Sequence, residues 1–511
     1  MEYCIGIDAG TTNLKVILFD LKGDIISSAS CPTPVLTDGD FHYFLPDKIW
    51  EVVSSLIKRV TLGIKGRVVS IAVASVAESV VPIGINGEIL FPAIAWYDER
   101  TKEQMEWVLN RIDPQSIYSI TGLRPLPIYS INKILWMKKY KEDIYNNVRV
   151  WLPISDFIAY KLSGEIATDY SQASRFMAFD LNMLDWSDKI LKAVEIPKET
   201  LPKPLPSGEI LGSVKDAYNL GLGSETLVAT GGHDHVCGAF IAGCFKKGIL
   251  LDSMGTAESF QISTEVPPLN LDIEEGPNIV VGSHVVKDKY SIHLGLPFSG
   301  GLIEWTTKLM QALNGPKDID NNLLDKFSSL AENSPSGSNG FFCLPHLFGS
   351  SVPIRDPEVR GAFLGLRKSH TPNDIARGIL EGLSFEARLV LSILEQFEPI
   401  EKIIGIGGGA KNLIWLKIKS TIVNRVIEIP KVTEGTAMGA AFLGVLGTGL
   451  FKDEDEVLNM TYKVSTVIEP DRERSPLYEE LFEKIYTRLF YVLRDLNHII
   501  EAEVKTYGSN T

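Results

Sequence analysis

The stretch Asp8-Ala9-Gly10-Thr11-Thr12-Asn13-Leu14-Lys15 joins two β-rich runs of the chain, residues 3–8 and 13–20. This arrangement predicts a hairpin with Gly10 in its turn. A glycine lets the turn expose backbone N–H groups, the threonines add hydroxyl donors, and Lys15 supplies a positive charge, which together suit a phosphate group. A plain hairpin turn with a surface lysine explains the same residues, so the stretch alone supports both interpretations.

Asp8 ends the first of these runs, beside the same turn. A carboxylate in that position suits a hydrated Mg2+, which usually takes only one or two carboxylates and keeps several waters. The sequence therefore predicts Asp8 as a magnesium ligand next to bound phosphates.

The same pattern returns near the middle of the chain. Gly248-Ile249-Leu250-Leu251-Asp252-Ser253-Met254-Gly255-Thr256 is again an apolar run that ends in an aspartate and a Gly-Thr turn. Each copy opens about half of the chain, which predicts two related α/β domains that face each other. We place the boundary at residue 247, giving domains 1–247 and 248–511.

Composition narrows the class of protein. A chain of 511 residues exceeds one ordinary domain of roughly 100 to 200 residues, and its 45% hydrophobic and 22% charged content is typical of packed globular proteins. The net charge of -14 has the wrong sign for binding a phosphate backbone or anionic lipid. Nucleic acid and membrane surfaces are therefore not expected as partners.

The five cysteines are scattered, which favours neither a disulfide framework nor a structural zinc site. We expect reduced thiols and a cytoplasmic protein, since the first residues also lack the features of a targeting peptide. Residues 435–451 form the most apolar stretch, but they are too short to span a bilayer and predict a buried helix.

Strand-like and helix-like runs alternate along the chain, as in α/β domains. The predicted helices are 50–60, 101–109, 130–140, 372–396, 436–446 and 476–503, and further strands are predicted at 25–30, 68–74 and 226–230.

A second motif is Gly231-Gly232-His233-Asp234-His235, at the expected start of a helix. Asp234 can cap that helix or act as a general base. His233 and His235 also raise the option of a metal site, although no further cluster of ligands lies near them in sequence.

A third motif combines Gly405-Ile406-Gly407-Gly408-Gly409-Ala410-Lys411-Asn412 with the small residues of 434–441. Glycines after an apolar run allow a flat or anionic ligand to approach the backbone, but they equally allow tight packing of a helix on a sheet. The spacing is neither that of a Rossmann fingerprint nor that of a P-loop.

Taken together and in this order, the motifs resemble those of the FGGY family of carbohydrate kinases. The resemblance runs nearly end to end. It includes a Trp-x-Asp-x-Arg element at 96–100 and segments at 130–136, 168–174 and 361–366. It implies an α/β fold of two related ribonuclease H-like domains around an interdomain cleft, as in the superfamily of actin, hexokinase and the heat-shock ATPases.

The resemblance also implies the cosubstrate ATP, a Mg2+ ion at Asp8, and Asp234 as the base that accepts a proton from a sugar hydroxyl. The implied ATP-binding residues are Gly10, Thr11, Thr12, Asn13, Lys15, Gly255, Thr256, Gly408, Gly409, Ala410 and Asn412. The implied sugar-binding residues are Glu78, Trp96, Asp98, Arg100, His233 and Asp234, although Trp96 is equally explained as a core residue.

The expected substrate is a small sugar: a ketose such as xylulose, fuculose or fructose, a sugar acid or an alditol. Ala77-Glu78 departs from the Arg-Glu pair of glycerol kinases and from the Met-His-Gly of xylulokinases, which disfavours glycerol and leaves the sugar unassigned. The alternative is a non-catalytic or switch-type ATPase of the same superfamily that acts on a protein partner. The resemblance also allows a homodimer.

Overall fold

The computed structural model describes residues 1–313, 323–431 and 434–508, which form two large mixed β-sheets surrounded by helices. The strands of the first half are β1 (Glu2–Ala9), β2 (Asn13–Asp20), β3 (Ile25–Pro32), β4 (Val35–Asp38), β5 (Phe41–Phe44), β6 (Arg67–Ser75), β7 (Val80–Gly84), β8 (Ala93–Ile94), β9 (Val148–Pro153), β10 (Ala167–Asp169), β11 (Phe179–Asp180), β12 (Asp185–Trp186), β13 (Lys203–Leu205), β14 (Ile210–Ser213) and β15 (Leu227–His233). Its helices are α1 (Pro46–Thr61), α2 (Lys102–Leu109), α3 (Pro114–Thr121), α4 (Ser130–Tyr140), α5 (Glu142–Tyr145), α6 (Ile154–Ser163), α7 (Tyr170–Ala173), α8 (Asp188–Val194) and α9 (Asp234–Ile241).

The second half repeats this mixture of strands and helices. Its strands are β16 (Gly248–Met254), β17 (Glu258–Thr264), β18 (Ile279–Ser283), β19 (Tyr290–Leu296), β20 (Phe342–Leu344), β21 (Ala362–Leu364), β22 (Ile400–Ile406), β23 (Val426–Pro430) and β24 (Val464–Ile468). Its helices are α10 (Gly300–Leu313), α11 (Leu323–Glu332), α12 (Pro372–Leu394), α13 (Leu413–Val423), α14 (Gly435–Gly447), α15 (Glu454–Thr461), α16 (Ser475–Leu481) and α17 (Thr487–Gly508).

The two large sheets share one arrangement. The first has the order β14-β15-β6-β1-β2-β3, in which β1, β2 and β3 are antiparallel while β1, β6 and β15 are parallel. The second has the order β18-β19-β17-β16-β22-β23-β24, with β19, β17 and β16 antiparallel and β16, β22 and β23 parallel. The predicted hairpin of residues 3–20 is confirmed, and so is the repeat of its pattern from Gly248 onward.

Each half of the chain packs one helix against the sheet of the other half. α14 belongs to the second half, yet it lies on the first sheet so closely that a Cβ on Gly6 of β1 would sit 1.8 Å from the carbonyl oxygen of Ala437. α9, from the first half, contributes Ala239 to an apolar cluster with Leu251 of the second sheet, and Ala242, directly after α9, belongs to the same cluster. The predicted buried helix at 435–451 is thereby confirmed as α14, and the boundary at residue 247 stays a prediction.

The predicted C-terminal helix 476–503 is confirmed as helical throughout, with one change of helix type. A π-helical turn at Phe482–Tyr486 separates α16 from α17. Among the helices of the described ranges, none combines the length and the apolar composition that crossing a membrane would require.

Candidate active site

The register of the first sheet brings Asp8 and Asp234 to the same edge. Asp8 on β1 is level with Ala74 on β6, and Ala74 is level with Gly232 on β15. Asp234 follows two residues later and is the first residue of α9. Because ligands of α/β sheets bind beyond the carboxyl ends of the parallel strands, this edge is where a substrate is expected.

A cleft opens at this edge, with walls from both halves of the chain. A pocket of about 190 Å3 lies against Asp234 and His235, and a pocket of about 450 Å3 lies against the Gly405–Ala410 turn. The two pockets share Gly238, Ile406 and Thr436, so they form one continuous cleft.

Asp234 is held by its two histidine neighbours. Its Oδ1 accepts hydrogen bonds from the backbone N–H and the Nδ1 of His235, both at 2.6 Å, and lies 3.2 Å from Nε2 of His233. Its Oδ2 accepts no hydrogen bond from the residues that the structure describes. That oxygen is therefore available to a hydroxyl group in the cleft.

The charges around Asp234 keep it ionised. Burial acts to raise the pKa of Asp234, but the charge and hydrogen bonds of His235 outweigh it and hold the pKa well below its usual range. The charge of Asp234 in turn raises the pKa of His235 to about 9, whereas burial lowers the pKa of His233 to about 4. The three side chains also lie close enough together to share a metal ion, but the hydrogen bonds of His235 to Asp234 and the contact of His233 with Asp234 already account for that arrangement.

Asp8 and Lys15 stand beside each other across the hairpin, as directly paired residues of β1 and β2. Burial, followed by the negative charge of Asp234, raises the pKa of Asp8 to about 7. Nζ of Lys15 forms an ion pair with Oε2 of Glu434 at 2.8 Å, and this contact joins the two halves across the cleft.

The donors at this edge fit a magnesium ion. Asp8 is a half-buried carboxylate whose pKa is raised by burial and by repulsion from a second carboxylate, Asp234, and a hard divalent cation relieves such repulsion. Binding of Mg2+ by Asp8 stays a prediction.

The Gly10 turn contains the two threonines that are predicted to bind phosphate. Thr11 is half-buried and accepts a hydrogen bond of 2.9 Å from Nε1 of Trp96, while Thr12 and Asn13 are exposed. The bond connects a predicted sugar-binding residue to a predicted phosphate-binding residue, so Trp96 has a contact beyond core packing.

The corresponding turn of the second half is tied to the start of α10. The N–H of Gly300 donates to the carbonyl of Gly255, so the Gly255-Thr256 turn is fixed while both residues stay exposed. Asp252 differs from Asp8, because it is fully buried and its Oδ2 is ion-paired with Nζ of Lys419 at 2.8 Å. Lys419 also contacts Glu258, and no sequence pattern indicated this buried triad.

The glycine-rich turn lines the larger pocket. Gly407 has a φ of +87°, and a Cβ there would lie 2.6 Å from the carbonyl oxygen of Met254, so this position requires glycine. A Cβ on Gly408 would meet no atom within 4 Å, which leaves that backbone open to a ligand. Asn412 caps α13, since its Oδ1 accepts a hydrogen bond from the N–H of Trp415 and its Nδ2 donates one to Ser328, and its contact with ATP stays a prediction.

Glu78, a predicted sugar-binding residue, has a left-handed backbone conformation, with a φ of +65°. Strained conformations of this kind concentrate at functional sites. Glu78 is buried and its Oε1 accepts a hydrogen bond of 2.6 Å from Nε of Arg175, whose guanidinium stands 5.3 Å from the ring centroid of Tyr129. The hydroxyl of Tyr129 is buried and has no hydrogen-bond partner among the described residues. Sequence reasoning missed Arg175, although it directly follows the segment 168–174 that carried the resemblance.

Asp98 and Arg100 are paired with each other. Oδ2 of Asp98 lies 2.6 Å from Nη2 of Arg100, and both side chains are almost fully buried. Asp98 also accepts from the N–H of His42, and the guanidinium of Arg100 lies over the ring of Tyr43. These contacts fix the wall beside Trp96, and direct contact of the pair with a sugar stays a prediction.

Comparison with known proteins resolves the family. A family model described as the N-terminal domain of the FGGY family of carbohydrate kinases matches residues 3–241, and the model of the C-terminal domain matches residues 251–448. The chain belongs to the FGGY family of carbohydrate kinases. The predicted fold class and the predicted phosphotransferase activity, with an alcohol group of a sugar as acceptor, are confirmed.

FGGY relatives align along nearly the whole chain. A xylulose kinase of Staphylococcus xylosus is 28% identical over 96% of this chain and 100% of its own length. A gluconokinase of Bacillus subtilis is 27% identical over 96% of this chain and 98% of its own. The crystal structure of a gluconate kinase from Lactobacillus acidophilus superposes with a TM-score of 0.85 at 25% identity, covering 96% of this chain and 98% of that one.

Proposed function

We propose that the protein transfers the γ-phosphate of ATP to a hydroxyl group of a small sugar, with Asp234 as general base. The hydroxyl oxygen forms the new bond to phosphorus, the bond from that phosphorus to the β,γ-bridging oxygen breaks, and ADP leaves. Oδ2 of Asp234 receives the hydroxyl proton. The observation that carries the proposal is an ionised carboxylate in the cleft with one oxygen held by histidines and the other free of hydrogen bonds from the described residues.

A carboxylate with a depressed pKa is a weak base in the free enzyme. It serves phosphoryl transfer by orienting the hydroxyl for attack and by taking the proton as the new bond forms. The two hydrogen bonds from His235 fix the carboxylate in one orientation, which suits a positioning role.

On this proposal the nucleotide lies along the larger pocket, with adenosine against Gly408 and Ala410 and its phosphates between the two Gly-Thr turns. Lys15, Thr11 and Thr12 would meet the transferring phosphate. Mg2+, bound through Asp8, would neutralise charge on the phosphates. Residues 1–247 would then form the sugar and phosphate side, and residues 248–511 the nucleotide side.

For the acceptor we propose a ketose, a sugar acid or an alditol. Glu78 and the indole of Trp96 offer the mixture of polar and aromatic contacts that suits a polyhydroxylated ligand, and the relatives include kinases named for xylulose and for gluconate. Arg175 adds a half-buried cation, paired with Glu78, on the same side, so acidic sugars belong in any test.

We also propose a cytoplasmic location, where ATP is available. All five cysteines are free, as expected in a reducing compartment.

The test is release of ADP from Mg-ATP across a panel of ketopentoses, ketohexoses, sugar acids and alditols, each beside a control without sugar. Strong stimulation by one compound, with the phosphosugar identified by phosphorus NMR, would support the proposal. Appreciable ATP hydrolysis that no sugar stimulates would contradict it and would favour the switch-type ATPase that acts on a protein partner.

A further inference from the structure

The second half presents polar side chains to the cleft beside Asp234. Ser259 and Gln261 of β17 line the pocket against Asp234, and His293 of β19 is directly paired with Gln261. The residues that alternate with Gln261 and His293 are buried in the apolar core on the opposite face of the sheet: Phe260, Ile262, Ile292 and Leu294. Because directly paired residues of neighbouring strands share a face, His293 borders the same cleft as Gln261.

The hairpin that carries His293 is docked against the first half. The N–H of Ser283 on β18 donates a hydrogen bond of 3.0 Å to Oγ of Ser174, and Ser174 directly precedes Arg175. A Cβ on Gly232 would lie 2.6 Å from Cγ1 of Val285, in the turn between β18 and β19. The second half therefore reaches the residues next to the proposed sugar site.

The hydrogen bonds of His293 define which of its ring nitrogens is free. The hydroxyl of Ser291 donates to the carbonyl of Gly282 at 3.4 Å, so its oxygen accepts from Nε2–H of His293 at 3.0 Å. Burial, followed by the charges of nearby side chains that include Arg175, lowers the pKa of His293 well below its ordinary value, so the ring is neutral. Nδ1 then carries no proton, and none of the described residues donates a hydrogen bond to it.

An unprotonated ring nitrogen at a cleft selects for one kind of ligand group. It attracts the O–H of a hydroxyl group, and it repels the lone pairs of a carboxylate or a keto oxygen. His293 is half-buried, so a ligand that fills the cleft without supplying a donor leaves this acceptor unsatisfied. Sites of this kind discriminate strongly against analogues that lack the matching hydroxyl.

We propose that His293 is a specificity-determining residue for the acceptor, and that its Nδ1 accepts a hydrogen bond from a sugar hydroxyl other than the one that is phosphorylated. The inference rests on the proposed function, because it requires a sugar at Asp234. It adds a contact from the second half to a sugar site that the sequence placed in the first half alone.

The experiment uses the sugar that stimulates the natural protein most strongly, together with its monodeoxy analogues. Loss of one particular hydroxyl should lower kcat/KM of the natural protein by at least about tenfold. His293→Ala should lower kcat/KM for the full sugar to a similar extent, and it should no longer distinguish the full sugar from that analogue. The dissociation constant of ATP should stay the same in calorimetry.

Two conservative variants separate the ring nitrogens. The side-chain oxygen of asparagine stands at the distance of Nδ1 from the backbone, and that of glutamine at the distance of Nε2. His293→Asn should therefore keep most of kcat/KM, whereas His293→Gln should not. His370→Ala is the matched control, because His370 is a half-buried histidine of the second half that lines neither cleft pocket, and its Nδ1 accepts from the N–H of Arg367.

The outcomes separate this inference from the proposed function. A natural protein that no sugar stimulates would overturn both. If a sugar stimulates ADP release but His293→Ala keeps kcat/KM within about twofold, the proposed function stands and the role of His293 is refuted. It is refuted equally if no single hydroxyl matters to the natural protein, or if His293→Ala still discriminates against the same analogue. Should His293→Ala fail to fold by circular dichroism, the comparison of His293→Asn with His293→Gln decides, and equal activity of the two would overturn the inference.

Discussion

Replacing Asp234 with asparagine tests the proposed base with little change of shape. The amide oxygen of the new side chain can still accept the hydrogen bond that the N–H of His235 donates at 2.6 Å in the natural protein, so α9 should begin at the same residue. The variant loses the negative charge and the ability to take up a proton.

The expected effect on catalysis follows from these losses. General bases contribute about 100- to 10,000-fold to rate, which is about 3–5 kcal/mol of transition-state stabilisation. We therefore expect kcat with the sugar to fall by at least about 100-fold. The dissociation constant of ATP should stay within about a factor of three, since the proposed adenosine contacts lie at the Gly408 turn, away from Asp234.

The same substitution should change the titration of His235. The pKa of about 9 in the natural protein is raised chiefly by the charge of Asp234, so in Asp234→Asn it should fall toward its ordinary value of 6.5. Because the folded-state pKa is raised, the pair stabilises the protein fully below about pH 6.5, and this contribution is lost as the pH rises through about 9. The side chain of His235 is 58% exposed, so solvent limits the effect to about 1 kcal/mol or less.

The assays are steady-state kinetics with the stimulating sugar, calorimetric titration with ATP, and NMR titration of the histidines. Asp216→Asn is a suitable control, since Asp216 is exposed and has a φ of +55° that asparagine tolerates. A rate within about tenfold of the natural enzyme would refute the role of Asp234 as base. An unchanged pKa of His235 would refute the electrostatic reasoning separately.

Trp96→Phe removes the N–H that donates to Thr11 and should lower kcat/KM for the sugar by up to about tenfold, as expected for about 0.5–1.5 kcal/mol, with ATP affinity unchanged. Steady-state kinetics measure this, and an unaltered kcat/KM would show that the bond does not matter. Gly408→Val should leave the melting temperature unchanged, because a Cβ there meets no atom within 4 Å, yet it should weaken ATP binding in calorimetry. Equal ATP affinity would place the nucleotide elsewhere. Lys419→Met leaves two buried carboxylates without their cation and should lower the free energy of unfolding by about 3–5 kcal/mol in urea titrations. A loss of under about 1 kcal/mol would contradict this reasoning.

Local pattern was sufficient to predict the elements that carry the site. The β-rich runs on either side of Gly10 specify a hairpin, and the glycines before Asp234 specify a strand-to-helix junction; both are present. The positions of Asp8 and Asp234 at strand ends could therefore be predicted from the sequence. The parallel register of β1, β6 and β15 then brings both aspartates to one edge of the sheet.

Contacts between residues that are distant in the chain could not be predicted from the sequence. Lys15 and Glu434 are 419 positions apart, and the pair depends on α14 crossing to the first sheet. The ion pair of Arg175 with Glu78 could not be predicted for the same reason, since the sequence around neither residue indicates which partner it has. For Asp98 and Arg100 the limit of the sequence is a different one, because both residues were predicted but their contact with each other was not. Their residue types suit a sugar, and only the structure shows that each satisfies the other.

The exchange of helices between the halves has a consequence for dissecting the protein. A fragment that ends at residue 247 would lack α14, and the face of the first sheet around Gly6 and Ala72 that α14 covers would be open to water. The complementary fragment would carry α14 as an apolar helix without the sheet on which it lies. Neither fragment can be expected to remain soluble alone, whereas the two produced together in one cell could still assemble around the shared helix.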